Sequence, residues 1–114
     1  MLNTPFSSWP IFTQEEADAV QRVLLSNHVN YWTGFECRDF EAEFAAFAGT
    51  RYAVALANGT VALETALRGL GIDAGDEVVV TSRTFWASVS SILAVGATPV
   101  FADVDRDSQN IVAQ

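Results

Sequence analysis

Between an apolar run and a helical pattern the chain reads Ala57-Asn58-Gly59-Thr60. Asn58 can cap the helix, and Gly59 lets another group approach the backbone. The N–H groups of Gly59, Thr60 and Val61, with the Thr60 hydroxyl, would form a cradle for an anion at a helix N-terminus. The turn is neither a GxGxxG fingerprint nor a Walker loop, and the same residues also make a plain Asn-capped turn that needs no ligand. A second segment, Thr81-Ser82-Arg83-Thr84-Phe85-Trp86-Ala87-Ser88, follows the next apolar run. An aromatic side chain there could lie flat against a planar ligand; alternatively Phe85 or Trp86 packs the start of a helix. Asp103-Val104-Asp105-Arg106-Asp107 gathers carboxylates that could hold a metal or move protons, or that stand as a solvated loop. His28 has no acid or nucleophile beside it and reads as a loop or interface histidine. Cys37 stands at a helix start, where the dipole could make a thiol more acidic, and reads instead as a structural thiol.

Lysine is missing. The 114 residues hold six Arg and fourteen Asp and Glu, for a net charge of −8, and chemistry that needs a lysine amine cannot come from this polypeptide. The acidic balance argues against binding a nucleic-acid backbone, which needs clustered positive charge. One Cys and one His exclude a zinc ligand cluster or a disulfide framework within the chain. With 50% hydrophobic and 18% charged residues, a core can form and global disorder is not expected. No apolar run approaches the ~20 residues of a membrane helix. The opening MLNTPFSSWPIF lacks the basic and continuous apolar regions of a signal peptide, so a soluble cytoplasmic protein is expected. There is no internal repeat.

These groups must be placed by regular elements. Residues 1–12 read as an irregular arm. Thr13 and Glu16 have capping-box spacing, and Ala17, Val20, Val23 and Leu24 follow at helical spacing, which predicts a helix over 14–26. A polar-aromatic loop over 27–35 precedes a helix over 37–48. There Phe40, Phe44 and Phe47 form one stripe, while Arg38, Asp39, Glu41 and Glu43 face water, and Gly49 is the expected left-handed C-terminal residue. Tyr52–Ala57 reads as a buried strand, 59–70 as a helix with a Glu64/Arg68 pair, Glu77–Thr81 as a strand, 85–95 as a helix and Pro99–Val104 as a third strand. A further strand starts near Ile111. Strand and helix alternate with short turns, the pattern of right-handed parallel βαβ units. In such a sheet ligands sit beyond the carboxyl ends of the strands, which places the Asn-Gly-Thr turn and the Thr81–Ser88 loop on one edge. Three strands with so few covering helices are expected to be a fragment of a larger α/β domain.

Taken in order, the YWTG loop, the FEAEFAAFAGTRYAVALANGT run, GDEVVVT, TF-x-AS and GATPVFADVD resemble the N-terminal part of the DegT/DnrJ/StrS-type sugar aminotransferases, over about residues 9–112. These are fold-type-I enzymes that use pyridoxal 5′-phosphate (PLP). The resemblance implies an α/β fold: a partial three-layer PLP-transferase-like large domain over 13–114, with mainly parallel βαβ units after N-terminal helices. It implies that Gly59 and Thr60, with Asn58 where the family often has Ser, bind the PLP phosphate, and that Phe85 stacks on the pyridine ring. It places Tyr31, Trp32 and Thr33 near a dimer interface or substrate. Trp86 is bulkier than the aliphatic residue usual at its position.

The family reaction moves an amino group, usually from L-glutamate, to a keto group of a nucleotide-linked sugar. The lysine and the acid for the pyridine nitrogen both lie downstream of the matched region in the family, so no catalytic residue is assigned here. Asp103 and Asp105 match the end of the ADVD strand and are not that acid. The chain alone is therefore expected to be inactive and to bind PLP weakly at best; a homodimer is expected of the family. The alternatives are a non-catalytic self-association module that uses an open sheet edge and a small phosphate-binding α/β domain.

Overall fold

The computed structural model describes residues 8–112, so the first part of the arm expected over 1–12 lies outside the described residues. The chain divides into two compact units, Met1–Ala55 and Leu56–Gln114.

In the first unit, helix α1 runs from Gln14 to Ser26. Its start is the capping box predicted from Thr13 and Glu16: the Glu16 N–H donates to Thr13 Oγ1 at 3.3 Å, and the Thr13 N–H donates to Glu16 Oε2 at 2.6 Å. Asn27 ends it in the left-handed region at φ 62°. Helix α2 covers Glu36–Ala48 and stops at Gly49, whose φ of 65° confirms the expected left-handed cap. Phe40, Phe44 and Phe47 stack along one side of α2 with ring centroids 5.6 and 6.3 Å apart, but Phe47 is 88% exposed. The stripe is real and lies uncovered.

Tyr52–Ala57 corrects the sequence reading. It was expected to be a buried strand, yet the segment forms no ladder, and Val54 is 74% exposed. The apolar run has strand composition, but a strand exists only through a partner, and none of the described residues supplies one.

The second unit holds a two-stranded parallel sheet, helix α3 over Gly59–Gly69, strand β1 over Glu77–Thr81, helix α4 over Trp86–Ala94 and strand β2 over Thr98–Ala102. The β1 and β2 strands pair in register from Glu77 with Thr98 to Thr81 with Ala102. The third predicted strand thus starts one residue early and ends at Ala102. Val104 instead forms an isolated antiparallel bridge with Ile111, near where a further strand was expected. The core gathers Val80, Ile92, Val95 and Ala97, with Leu67, Ile72, Val78 and Val89 packed against them. The Glu64–Arg68 pair forms at 3.3 Å, and Arg68 also donates to the Ala94 carbonyl at 2.9 Å, which ties α3 to the end of α4. Side chains alternate across a strand, so Val78 and Val80 face α4 while Val79 looks the other way and is 63% exposed.

Candidate functional site

Asn58 is in extended backbone and its Oδ1 accepts the N–H of Val61 at 3.0 Å, so the predicted N-cap is formed. This narrows the cradle. The Val61 N–H is used by the cap, which leaves the N–H groups of Gly59 and Thr60 as the ones the first turn does not satisfy internally. Gly59 has open space where a Cβ would stand, so its backbone is approachable.

Phe85 precedes α4 with extended backbone and makes no side-chain cap, and its ring is 78% exposed. The ring therefore does not pack down on its own helix. Thr84 and Ser88 close that end of α4 with a hydroxyl pair 2.8 Å apart. Helices α3 and α4 pack together, and an open cleft of about 680 Å³ lies at their starts. Asn58, Gly59, Thr60, Phe85 and Ser88 line it. Two segments separated by strand β1 are thus brought to one cleft, as the strand-edge argument requires. Ser88 was given no role of its own in the sequence, although it closes the TF-x-AS motif and stands one helical turn from Thr84.

The charge pattern around the cleft is selective. The first turn of α1 carries Glu15 and Glu16, and that of α2 carries Glu36 and Asp39. The first turns of α3 and α4 carry no acidic residue, in a chain with fourteen of them. Acidic side chains favour helix N-termini through the macrodipole. Leaving them out at the two that open on the cleft keeps its positive potential free for an external anion. A groove of about 750 Å³ along α1 is slightly larger, but beside Phe12, Ala17, Val20 and Leu24 its polar lining is only Gln21 and Glu16, whose carboxylate is taken by Thr13, so the chemistry is placed at the smaller cleft.

The remaining candidates separate. Tyr31, Trp32 and Thr33 lie in the first unit, in a loop between α1 and α2. Asp105 is occupied locally: its Oδ1 accepts from the N–H groups of Ser108 at 2.7 Å and Asp107 at 3.2 Å, and these bonds, that of Ser108 foremost, lower its pKa below the usual aspartate value. The acidic run is a structured loop, and no metal-binding group of His, Cys, Asp or Glu exists among the described residues. No described helix is long and apolar enough to cross a membrane. Cys37 is exposed.

Residues 10–114 match the profile of the DegT/DnrJ/EryC1/StrS aminotransferase family. The chain is 42% identical over 104 residues to the spore coat polysaccharide biosynthesis protein SpsC of Bacillus subtilis, covering 91% of this chain and 26% of that protein. Among solved structures it is 66% identical to an aminotransferase from Psychrobacter cryohalolentis, with a TM-score of 0.90 over 95% of this chain and 27% of the other. It is 38% identical to the PLP form of a sugar aminotransferase, Spr1654, from Streptococcus pneumoniae, with a TM-score of 0.84 over 96% of this chain and 27% of the other. The chain spans about a quarter of the length of these relatives. Its fold is a partial α/β domain of the kind these aminotransferases share, and the chain belongs to the DegT/DnrJ/EryC1/StrS aminotransferase family.

Proposed function

We propose that this chain supplies the N-terminal wall of the cofactor site of a PLP-dependent sugar aminotransferase, with residues 13–114 as the first part of its large domain. The observation that carries this is the meeting of the Asn58-Gly59-Thr60 turn and the bare ring of Phe85 at one cleft whose two helix starts carry no acid. The residues fit the group. The N–H groups of Gly59 and Thr60 and the Thr60 hydroxyl are donors suited to a phosphate, Asn58 holds the turn in shape, and the flat face of Phe85 suits a pyridine ring. When bound, PLP supplies an electron sink for moving an amino group.

The chain's own residues bind and orient. None of them offers a lysine amine, so the covalent anchor must come from residues outside this sequence. The reaction we assign to the whole enzyme is transfer of an amino group from L-glutamate to a keto group of a nucleotide-linked sugar. It acts as a homodimer in the cytoplasm, with Tyr31, Trp32 and Thr33 near the partner or the substrate. The 114 residues alone bind PLP weakly and do not turn over. Incubating the purified chain with PLP, L-glutamate and a nucleotide-linked keto sugar, and following 2-oxoglutarate, is expected to give no product. Turnover free of host enzymes would overturn the assignment of the anchor to missing residues.

A further inference from the structure

Glu41 was expected to face water on α2, and the structure shows otherwise. Its side chain is half-buried and used at both oxygens. Oε1 accepts the N–H of Ala55 at 2.8 Å, and Oε2 accepts the hydroxyl of Tyr31 at 3.1 Å. Arg38, one helical turn away, reaches the same loop: its Nη2 donates to the Tyr31 carbonyl at 2.9 Å, and its guanidinium lies 5.1 Å from the centre of the Tyr31 ring and 5.8 Å from that of Phe35.

The loop so gripped is stiff from within. Asn30 Oδ1 accepts the N–H groups of Trp32 at 3.0 Å and Thr33 at 3.1 Å. Gly34 is buried, and a Cβ there would run into the carbonyl of His28 and the side chain of Glu36. Holding Tyr31 therefore holds the whole turn, including Trp32, whose ring meets that of Tyr31 edge-on and is 83% exposed. The other oxygen of Glu41 holds the backbone at Ala55, and only Leu56 and Ala57 separate that residue from Asn58.

We propose that Glu41 is a positioning residue of the first unit, whose two oxygens set the exposed Tyr31–Trp32 pair and the Ala55 backbone as one piece. Hydrogen bonds that a carboxylate accepts from two donors are suited to this, because they are directional and its charge makes them stronger than neutral ones. A water-facing glutamate would leave both segments to drift separately.

The test uses the isotope-labelled 114-residue chain with E41A, E41Q and Y31F, read by amide hydrogen exchange, the Trp32 indole signal and a titration with PLP. In E41A the Ala55 amide should exchange about tenfold faster and the Trp32 signal should move, while Val80 and Ile92 stay protected. E41Q keeps an acceptor for Ala55 and a donor toward the Tyr31 oxygen, so it should return Ala55 to within about threefold of the parent. Y31F should move Trp32 and leave Ala55 protected, an expectation that stands even if E41A fails to fold. Equal acceleration at every amide, an unchanged Ala55, or no rescue by E41Q would overturn the proposal. If Gly59 and Thr60 of the parent ignore PLP, the cradle reading falls, and Ala55 and Trp32 still decide the role of Glu41.

Discussion

Gly59 is the residue where the cofactor reading is most exposed to failure. Its position has open space for a side chain, and it opens a helix whose first turn has no acid. An acidic residue there would satisfy the helix dipole, so selection for helix stability alone would favour one. It would also place a negative charge where a phosphate is to sit. G59D should therefore leave thermal unfolding of the chain unchanged or slightly improved. It should weaken the response to PLP about tenfold, the scale of one like charge brought to an anion site near a surface. Unchanged PLP binding in a folded G59D would remove the cradle. Residue type offered the Asn58-Gly59-Thr60 turn and an aromatic at Phe85 or Trp86, each with a plain packing reading beside it; the family resemblance assigned the cofactor role to Gly59, Thr60 and Phe85. Helical spacing placed Glu41 in water, because it assigns a residue to a face without saying what a folded loop brings to that face.

At the scale of elements, α1 and α3 start on side-chain caps, Thr13 and Asn58. The Thr13–Glu16 box was legible because it is local, with donor and acceptor three residues apart. The Thr13 backbone N–H, then its hydroxyl, lowers the pKa of Glu16 below its ordinary value of 4.5. The sign follows from linkage: a carboxyl more acidic in the folded chain stabilises it fully above 4.5 and loses that contribution as the pH falls through the lower folded value. The start of α1 should then fray in acid. The Thr13 amide signal of the parent should move toward its unfolded position below pH 4.5, whereas in E16Q, which keeps the geometry without the charge, it should stay flat over that range. A parent and an E16Q that respond alike would show that the box does not depend on the carboxylate. The Tyr52–Ala57 run was not legible in this way, since its composition marks a strand but its ladder needs residues far away in the chain.

At the scale of the whole molecule, apolar surface is left open in both units. Phe40, Phe44 and Phe47 crown α2, and Val79 lies on the sheet face that α4 does not cover. Parallel sheets are usually covered on both faces, and patches of this kind mark surfaces that meet other protein. The relatives are about three and a half times as long as this chain, so the remainder of such an enzyme is the natural cover. Without it the 114 residues should self-associate. Their sedimentation coefficient should rise with concentration, and F47S, which removes the most exposed ring of the stripe, should reduce the rise. A concentration-independent monomer would show that these faces are tolerated in water.

The family resemblance proposed Gly59, Thr60 and Phe85 as cofactor residues, whereas the residues by themselves determined the helices, the Thr13 and Asn58 caps, the β1 strand and the lack of a lysine. These last rest on neighbours within one or two helical turns, or on residue type alone, and such interactions are written in spacing. Only the tertiary structure decided that Asn58–Thr60 and Phe85 share a cleft, that Tyr52–Ala57 stays unpaired, and that Glu41 joins Tyr31 to Ala55. Those outcomes depend on which distant segments pack together, and a one-dimensional pattern sets the face of an element without setting what arrives against it.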